Sequence, residues 1–311
     1  MNTMNRDIRL DSLKGFLILL VILGHIIGES NITSCGTGDY WGGARLWIYL
    51  FHMPLFVLLS GYFSRRKNNA RELFRSLRSI AVTLIVFQII SLILLFFVRH
   101  EFSLEYLVRP YWTLWYLMSL LLWRIMLQLT PKKILQRPSL YLVIVTIISI
   151  VSGLVLPYGW IFAIQRTLSF YPFFLLGYYM GQSVIKIPIN TQTKVASLIV
   201  IIILSCMVFM GVWSNSTIKL LLGAYQFPVG QLPDKLLLFV CSVLMSLSFY
   251  IVFRECSVLA QIGRDSLFYY LYHGIIIQFI LIPVFEYLNL SWNIITSSKH
   301  LTCSSCTGAL L

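Results

Sequence analysis

Charge is what this sequence has least of. Only 11% of its 311 residues are charged, and eleven Asp and Glu stand against 24 Lys and Arg, where a typical soluble domain carries roughly a quarter charged residues. With 58% hydrophobic residues and a mean hydropathy of +0.82, too few polar side chains remain to clothe a water-facing shell. Cysteine is scattered: Cys303 and Cys306 have CxxC spacing, but no second pair or nearby histidine pattern completes a zinc site, so no metal is expected. Nor do two halves of the chain repeat each other in the way many alternating-access transporters do.

What fills the chain is apolar blocks of the length a helix needs to cross roughly 30 Å of hydrocarbon. They fall near 12–29, 46–63, 79–98, 111–127, 140–156, 168–184, 196–213, 236–253 and 265–285, with a marginal extra segment from Ser216 to Phe227. The pattern predicts an all-α polytopic integral membrane protein with about nine or ten transmembrane helices. The expected membrane domain is residues 1–285, and 286–311 reads as an atypical, truncated C-terminal tail. A signal peptide is the weaker reading of the first block, because Asp7 and Asp11 interrupt its head.

The formal charge of +13 is spread over short segments between apolar blocks, which is the signature of membrane orientation and gives no reason to expect a nucleic-acid partner. With nine helices and the N-terminus inside, sixteen of the 24 basic residues lie on the cytoplasmic side and seven outside, Arg124 falling within a helix. The expected location is the cytoplasmic (inner) membrane, multi-pass, with a cytoplasmic N-terminus. Trp and Tyr cluster at the block edges, as in Tyr40, Trp41, Trp47 and Tyr49 and in Tyr111, Trp112, Trp115 and Tyr116, and an interfacial aromatic belt accounts for most of them.

Ionisable groups inside apolar blocks are the candidates for chemistry, because such groups face the bundle interior and often mark a pathway. The first block carries Asp11, Lys14 and His25. Eleven helical steps place Lys14 and His25 within about 20° of one face and roughly 16 Å apart. His52 enters the second block just ahead of Pro54, at a depth where it faces His25 or serves as an ordinary interfacial histidine. His273 lies in the last block, surrounded by aliphatic residues. Arg71, Arg75 and Arg78 fall at i, i+4 and i+7 behind Arg65, Arg66 and Lys67. That is one helical face suited either to phosphate oxygens or to anionic membrane lipids. Arg124, near the inner end of its block, reads as a snorkelling side chain. No Asp or Glu is spaced to complete a triad with His25, since Asp11 lies about 20 Å along the same helix.

Five collinear stretches, LDSLKGFLILLVILGH, FHMPLFVLLSGYF, WTLWYLMSLLLWRI, YPFFLLGYYMG and GRDSLFYYLYHGIII, together resemble the membrane acyltransferase family 3. The branch they resemble is that of fucose 4-O-acetylase and polysaccharide O-acetyltransferases. The likeness runs from Arg9 to about Phe279. It implies that Lys14, where the family usually has arginine, and His25 are the activity-linked pair of the first helix. It also implies that Arg75 and Arg78, with Arg71 beside them, handle the acyl-CoA donor. Family members typically continue with a further apolar helix where this chain has Glu286 to Leu311. The expected function is acetyl (or other short acyl) transfer from cytoplasmic acetyl-CoA to a hydroxyl of a cell-surface or lipid-linked glycan. His25 is then a catalytic base, and His52, His273 and Asp11 belong to the pocket. The rival readings are a secondary transporter or glycan exporter, and a catalytically silent sensor or scaffold.

Overall fold

The computed structural model describes residues 7–29, 40–67, 69–101, 103–156, 159–213 and 217–287. Among these the chain is helical throughout, with no strand. The principal helices are α1 (Ile8–Glu29), α2 (Tyr40–Tyr62), α3 (Ala70–Leu94, continued by a π turn Leu95–Arg99), α4 (Trp115–Leu129), α5 (Lys132–Leu135), α6 (Pro138–Val155), α7 (Ile164–Gly181), α8 (Thr191–Phe209), α9 (Ile218–Leu222), α10 (Leu232–Val252), α11 (Ser257–Arg264), α12 (Ser266–Ile276, continued by a π turn Ile277–Leu281) and α13 (Ile282–Tyr287). Seven helical stretches are long and apolar enough to cross a bilayer, beginning at Ile8, Trp41, Ala70, Pro138, Thr191, Val229 and Ser266.

Burial sorts these helices into an inner and an outer set. Buried residues make up 67% of the apolar window of α2 and 56% of that of α1, but only 17% for α3 and α8. The exposed faces of α3 and α8 repeat aliphatic residues at helical spacing, Ile85, Ile89 and Ile93 on one and Val195, Ile199, Ile202 and Ile203 on the other. In water such a belt would be an aggregating patch; against acyl chains it is the natural surface. The first two helices are therefore the heart of the bundle, which puts their polar side chains inside protein.

Two further helices run the length of the bundle. The stretch leading into α4 touches His25 through Trp112, and the far end of α4 meets the α2–α3 loop, where Gln128 bonds Lys67. α7 starts beside Trp115 through Arg166 and ends where the Gly181 carbonyl accepts from Arg65. α4 has 15 residues, and α7 buries Gln165, Thr167 and Ser169, so neither has the length and apolarity of a lipid-facing span. The Ser216–Phe227 segment contributes the five-residue helix α9, which is ended by left-handed Gly223 and far too short to cross. Its Leu220 carbonyl accepts a 2.7 Å bond from the buried Lys235 ammonium.

One close approach sets the position of the last helix. α11 lies against the first turns of α1, where a Cβ on Gly15 would come within 1.9 Å of the Leu259 carbonyl oxygen and one on Gly263 within 1.8 Å of the Asp11 oxygen. Only paired glycines let the two backbones meet this closely. The chain turns at Asp265 directly after this contact, so α12 departs alongside α1 and carries His273 up to His25.

Candidate functional site

Three aromatic side chains from distant parts of the chain converge at the end of α1. The His25 ring lies 4.5 Å from Trp112 and 5.5 Å from His273, and Trp112 and His273 are themselves 6.0 Å apart, all between ring centroids. Trp112 adopts a left-handed backbone, φ 40°, which a non-glycine residue holds only when its surroundings impose it. Its indole fits because the neighbouring helix has Gly274, where a Cβ would sit 3.3 Å from the ring. Arg45, Arg166 and His52 are within electrostatic reach of His25. The Arg166 guanidinium stacks over Trp115 at 4.8 Å and Arg45 over Tyr49 at 5.4 Å.

Hydrogen bonding fixes which nitrogens are basic. His52 donates Nδ1–H to the Ile48 carbonyl at 2.7 Å, and His273 donates Nδ1–H to the Tyr269 carbonyl at 3.0 Å. In each neutral ring the lone pair is then on Nε2. His273 Nε2 is buried and has no hydrogen-bond partner among the described residues, an open acceptor beside His25.

From this cluster a line of polar side chains leads towards the opposite end of the bundle. Tyr270 packs on His273 at 5.9 Å and on Tyr116 at 5.3 Å, and donates its hydroxyl to the Thr113 carbonyl. Ser60 spends its own proton on the Phe56 carbonyl, so the 2.5 Å contact between its Oγ and Tyr116 is one in which the tyrosine donates. Ser64 in turn donates to the Ser60 carbonyl at 2.7 Å. Ser64 walls a cavity of about 140 Å³ together with Arg65, Lys67, Ser76, Arg124 and Gln128.

Lys14 stands at the same end, its ammonium 2.6 Å from the Asp11 carboxylate and 4.8 Å from the centroid of the Phe63 ring. Asp11 is thus bound up with Lys14, at the end of α1 remote from His25. Arg71, Arg75 and Arg78 lie near the start of α3 with exposed side chains outside the wall of this cavity. His25 meets His273 and Trp112 in ring contact, whereas His52 packs its ring on Tyr49 at 5.0 Å.

Several residues of the site were not singled out from the sequence. Trp112 read there as a belt aromatic, Tyr270 was given no role, and Arg45 and Arg166 read as loop charges. Arg124 does not snorkel freely: its Nη1 donates to Ser76 Oγ at 2.8 Å while its Nε is buried. The signal available was one of charge within apolar surroundings, which only Arg124 gave. Among the described residues no group of three His, Cys, Asp or Glu gathers as a metal site, and Cys303 and Cys306 lie outside those residues.

The acyltransferase domain model matches residues 7–300. Nodulation protein NolL of Sinorhizobium fredii is 31% identical over 234 residues, covering 68% of this chain and 59% of that protein. Nodulation protein NolL of Mesorhizobium japonicum is 46% identical over 63 residues, covering 20% of this chain and 16% of its own length. The chain therefore spans less than two thirds of either relative. No solved structure matches. The family match takes in the imidazole cluster, the polar line and the basic cavity alike, and the chain belongs to acyltransferase family 3.

Proposed function

We propose that this protein transfers an acetyl or other short acyl group from a coenzyme A thioester on the cytoplasmic side to a hydroxyl of a cell-surface or lipid-linked glycan. It does so from the inner membrane, through nine crossings with the N-terminus cytoplasmic. The observation that carries the reading is the placing of both ends of the chemistry on α1. Lys14 stands beside a cationic cavity at one end, His25 stands within the imidazole cluster at the other, and the Ser64–Ser60–Tyr116–Tyr270 line runs between them.

In this mechanism Arg71, Arg75 and Arg78 raise the local concentration of the anionic donor, which an exposed cationic face does without fixed contacts. Lys14 steadies the donor at the entrance, and the thioester arm extends along the polar line towards His25. Neutral His25 takes the proton of the acceptor hydroxyl as its oxygen attacks the thioester carbonyl. The tetrahedral intermediate then expels the thiolate, which recovers the proton from the imidazolium. His273 and His52 shape the pocket, Trp112 offers an aromatic face to the acceptor sugar, and the nearby guanidinium groups of Arg45 and Arg166 favour the developing oxyanion. Anionic lipids surround the basic end.

Purified protein in nanodiscs, given labelled acetyl-CoA and an acceptor glycan pool, tests the reading. Label passes to glycan with wild type, and His25→Ala lowers the rate by about 10²–10⁴-fold, the usual worth of a positioned base. Transfer at full rate in His25→Ala would remove the imidazole from the chemistry, and passage of glycan without acylation would make the protein a transporter.

A further inference from the structure

The cavity at the basic end has a lining unlike the rest of the bundle interior, rich in cationic and polar side chains. Three cations, Arg65, Lys67 and Arg124, stand in its wall, and among the described residues no carboxylate does. Its volume of about 140 Å³ is roughly ten times the 10–15 Å³ that admits one water. The wall is held in place by hydrogen bonds to backbone groups. Arg66 donates to the carbonyls of Gln128 and Thr130 at 3.0 and 2.9 Å, closing the end of α4. The Gln128 amide both accepts from Lys67 N–H at 3.2 Å and donates to the Lys67 carbonyl at 2.9 Å. Arg65 is drawn to the Gly181 carbonyl at 3.1 Å.

Two donors remain unspent. The Lys67 ammonium has no hydrogen-bond or ion-pair partner among the described residues, although its backbone is clamped on both sides. Arg124 gives Nη1 to Ser76 and keeps a buried Nε with no acceptor among the described residues. A buried guanidinium N–H left without an acceptor is unfavourable, and a tetrahedral oxyanion supplies the acceptors that the protein does not.

We propose that this cavity seats a phosphoryl group, with Arg124 and Lys67 as its donors and Arg65 at its edge. The identification of that group as a phosphate of coenzyme A rests on the acyl-thioester reading; the headgroup phosphate of an anionic lipid offers the same chemistry. Phosphoryl binding here brings the donor to the foot of the Ser64–Ser60–Tyr116 line, beside the Phe63 ring that carries Lys14. The exposed arginines of α3 then serve approach, and the cavity serves fixation.

The test uses the full chain in nanodiscs of zwitterionic lipid, titrated with CoA and with pyrophosphate, and repeated with phosphatidic acid in the bilayer. The variants are Arg124→Met and Lys67→Met, with exposed Lys194→Met on α8 as control. Wild type binds both probes with an affinity that falls as salt rises. Arg124→Met weakens both by about tenfold or more, Lys67→Met weakens both by about threefold or more, and Lys194→Met binds as wild type does. Undiminished binding of CoA and pyrophosphate to folded Arg124→Met overturns the proposal, even where acyl transfer proceeds. If that variant does not fold, undiminished binding to Lys67→Met overturns it, since that ammonium makes no hydrogen bond or ion pair among the described residues. Arg124-dependent pyrophosphate binding without CoA binding or acyl transfer upholds the cavity and removes the thioester reading, and competition by phosphatidic acid then assigns it to lipid.

Discussion

At the residue scale, His52 and His273 are tuned by the same local device, an Nδ1–H given to the carbonyl one helical turn earlier. The bond fixes the ring and leaves the lone pair on Nε2, and at His273, whose ring packs against His25 and Trp112, that nitrogen has no hydrogen-bond partner among the described residues. His273→Phe keeps the ring packing and removes the nitrogen. Initial-rate measurements are expected to show kcat reduced by about tenfold, the worth of one hydrogen-bond acceptor lost from the pocket, with little change in KM for the donor. A change confined to stability would make His273 a packing residue. Tyr116→Phe loses one hydrogen bond, worth about 1 kcal/mol, to Ser60. The transfer rate is then expected to fall by no more than about tenfold, and a complete loss would show that the hydroxyl takes part in the chemistry.

At the element scale the position of α12 is inherited from the α1–α11 contact. Gly263→Leu puts a branched side chain where even a Cβ meets the Asp11 carbonyl at 1.8 Å. Overpacking of this kind costs about 1–3 kcal/mol, and more where backbone obstructs. A lowered unfolding midpoint in detergent, accompanied by loss of transfer, is the expected result; activity retained at wild-type level would show that His273 does not depend on this contact. The helices themselves were legible, since each apolar block near 12–29, 46–63 and 79–98 became a helix. The two that deviate are instructive. α4 and α7 pack inside the bundle, so selection for lipid solubility does not act on all their faces, and polar residues such as Thr167 and Ser169 settle there.

At the scale of the whole molecule, an outer belt formed by α3, α6 and α8 surrounds a core in which α1 and α2 are most buried. In the reading proposed above, the excess of basic residues assigns the side of the α2–α3 loop to the cytoplasm. In a chain freed of its six cysteines, Arg109→Cys is expected to react with an impermeant maleimide in intact cells, and Lys133→Cys only after the membrane is opened. The opposite result would invert the orientation and with it the side from which the donor enters.

Composition and block length by themselves determined that this chain is helical and embedded in lipid, because a side chain's transfer energy and a helix's rise act locally and leave their period in the sequence. Spacing also placed Lys14 and His25 on one face of one helix. Only the tertiary structure decided that the ring meeting His25 is His273, with Trp112 between distant segments, and that Arg124 joins Arg65 and Lys67 in the cavity wall while Arg75 and Arg78 stay outside. Such pairings depend on how helices remote in the chain pack against one another. That packing turns on backbone approaches like the one between Gly15 and Gly263, which no periodicity within a single helix records.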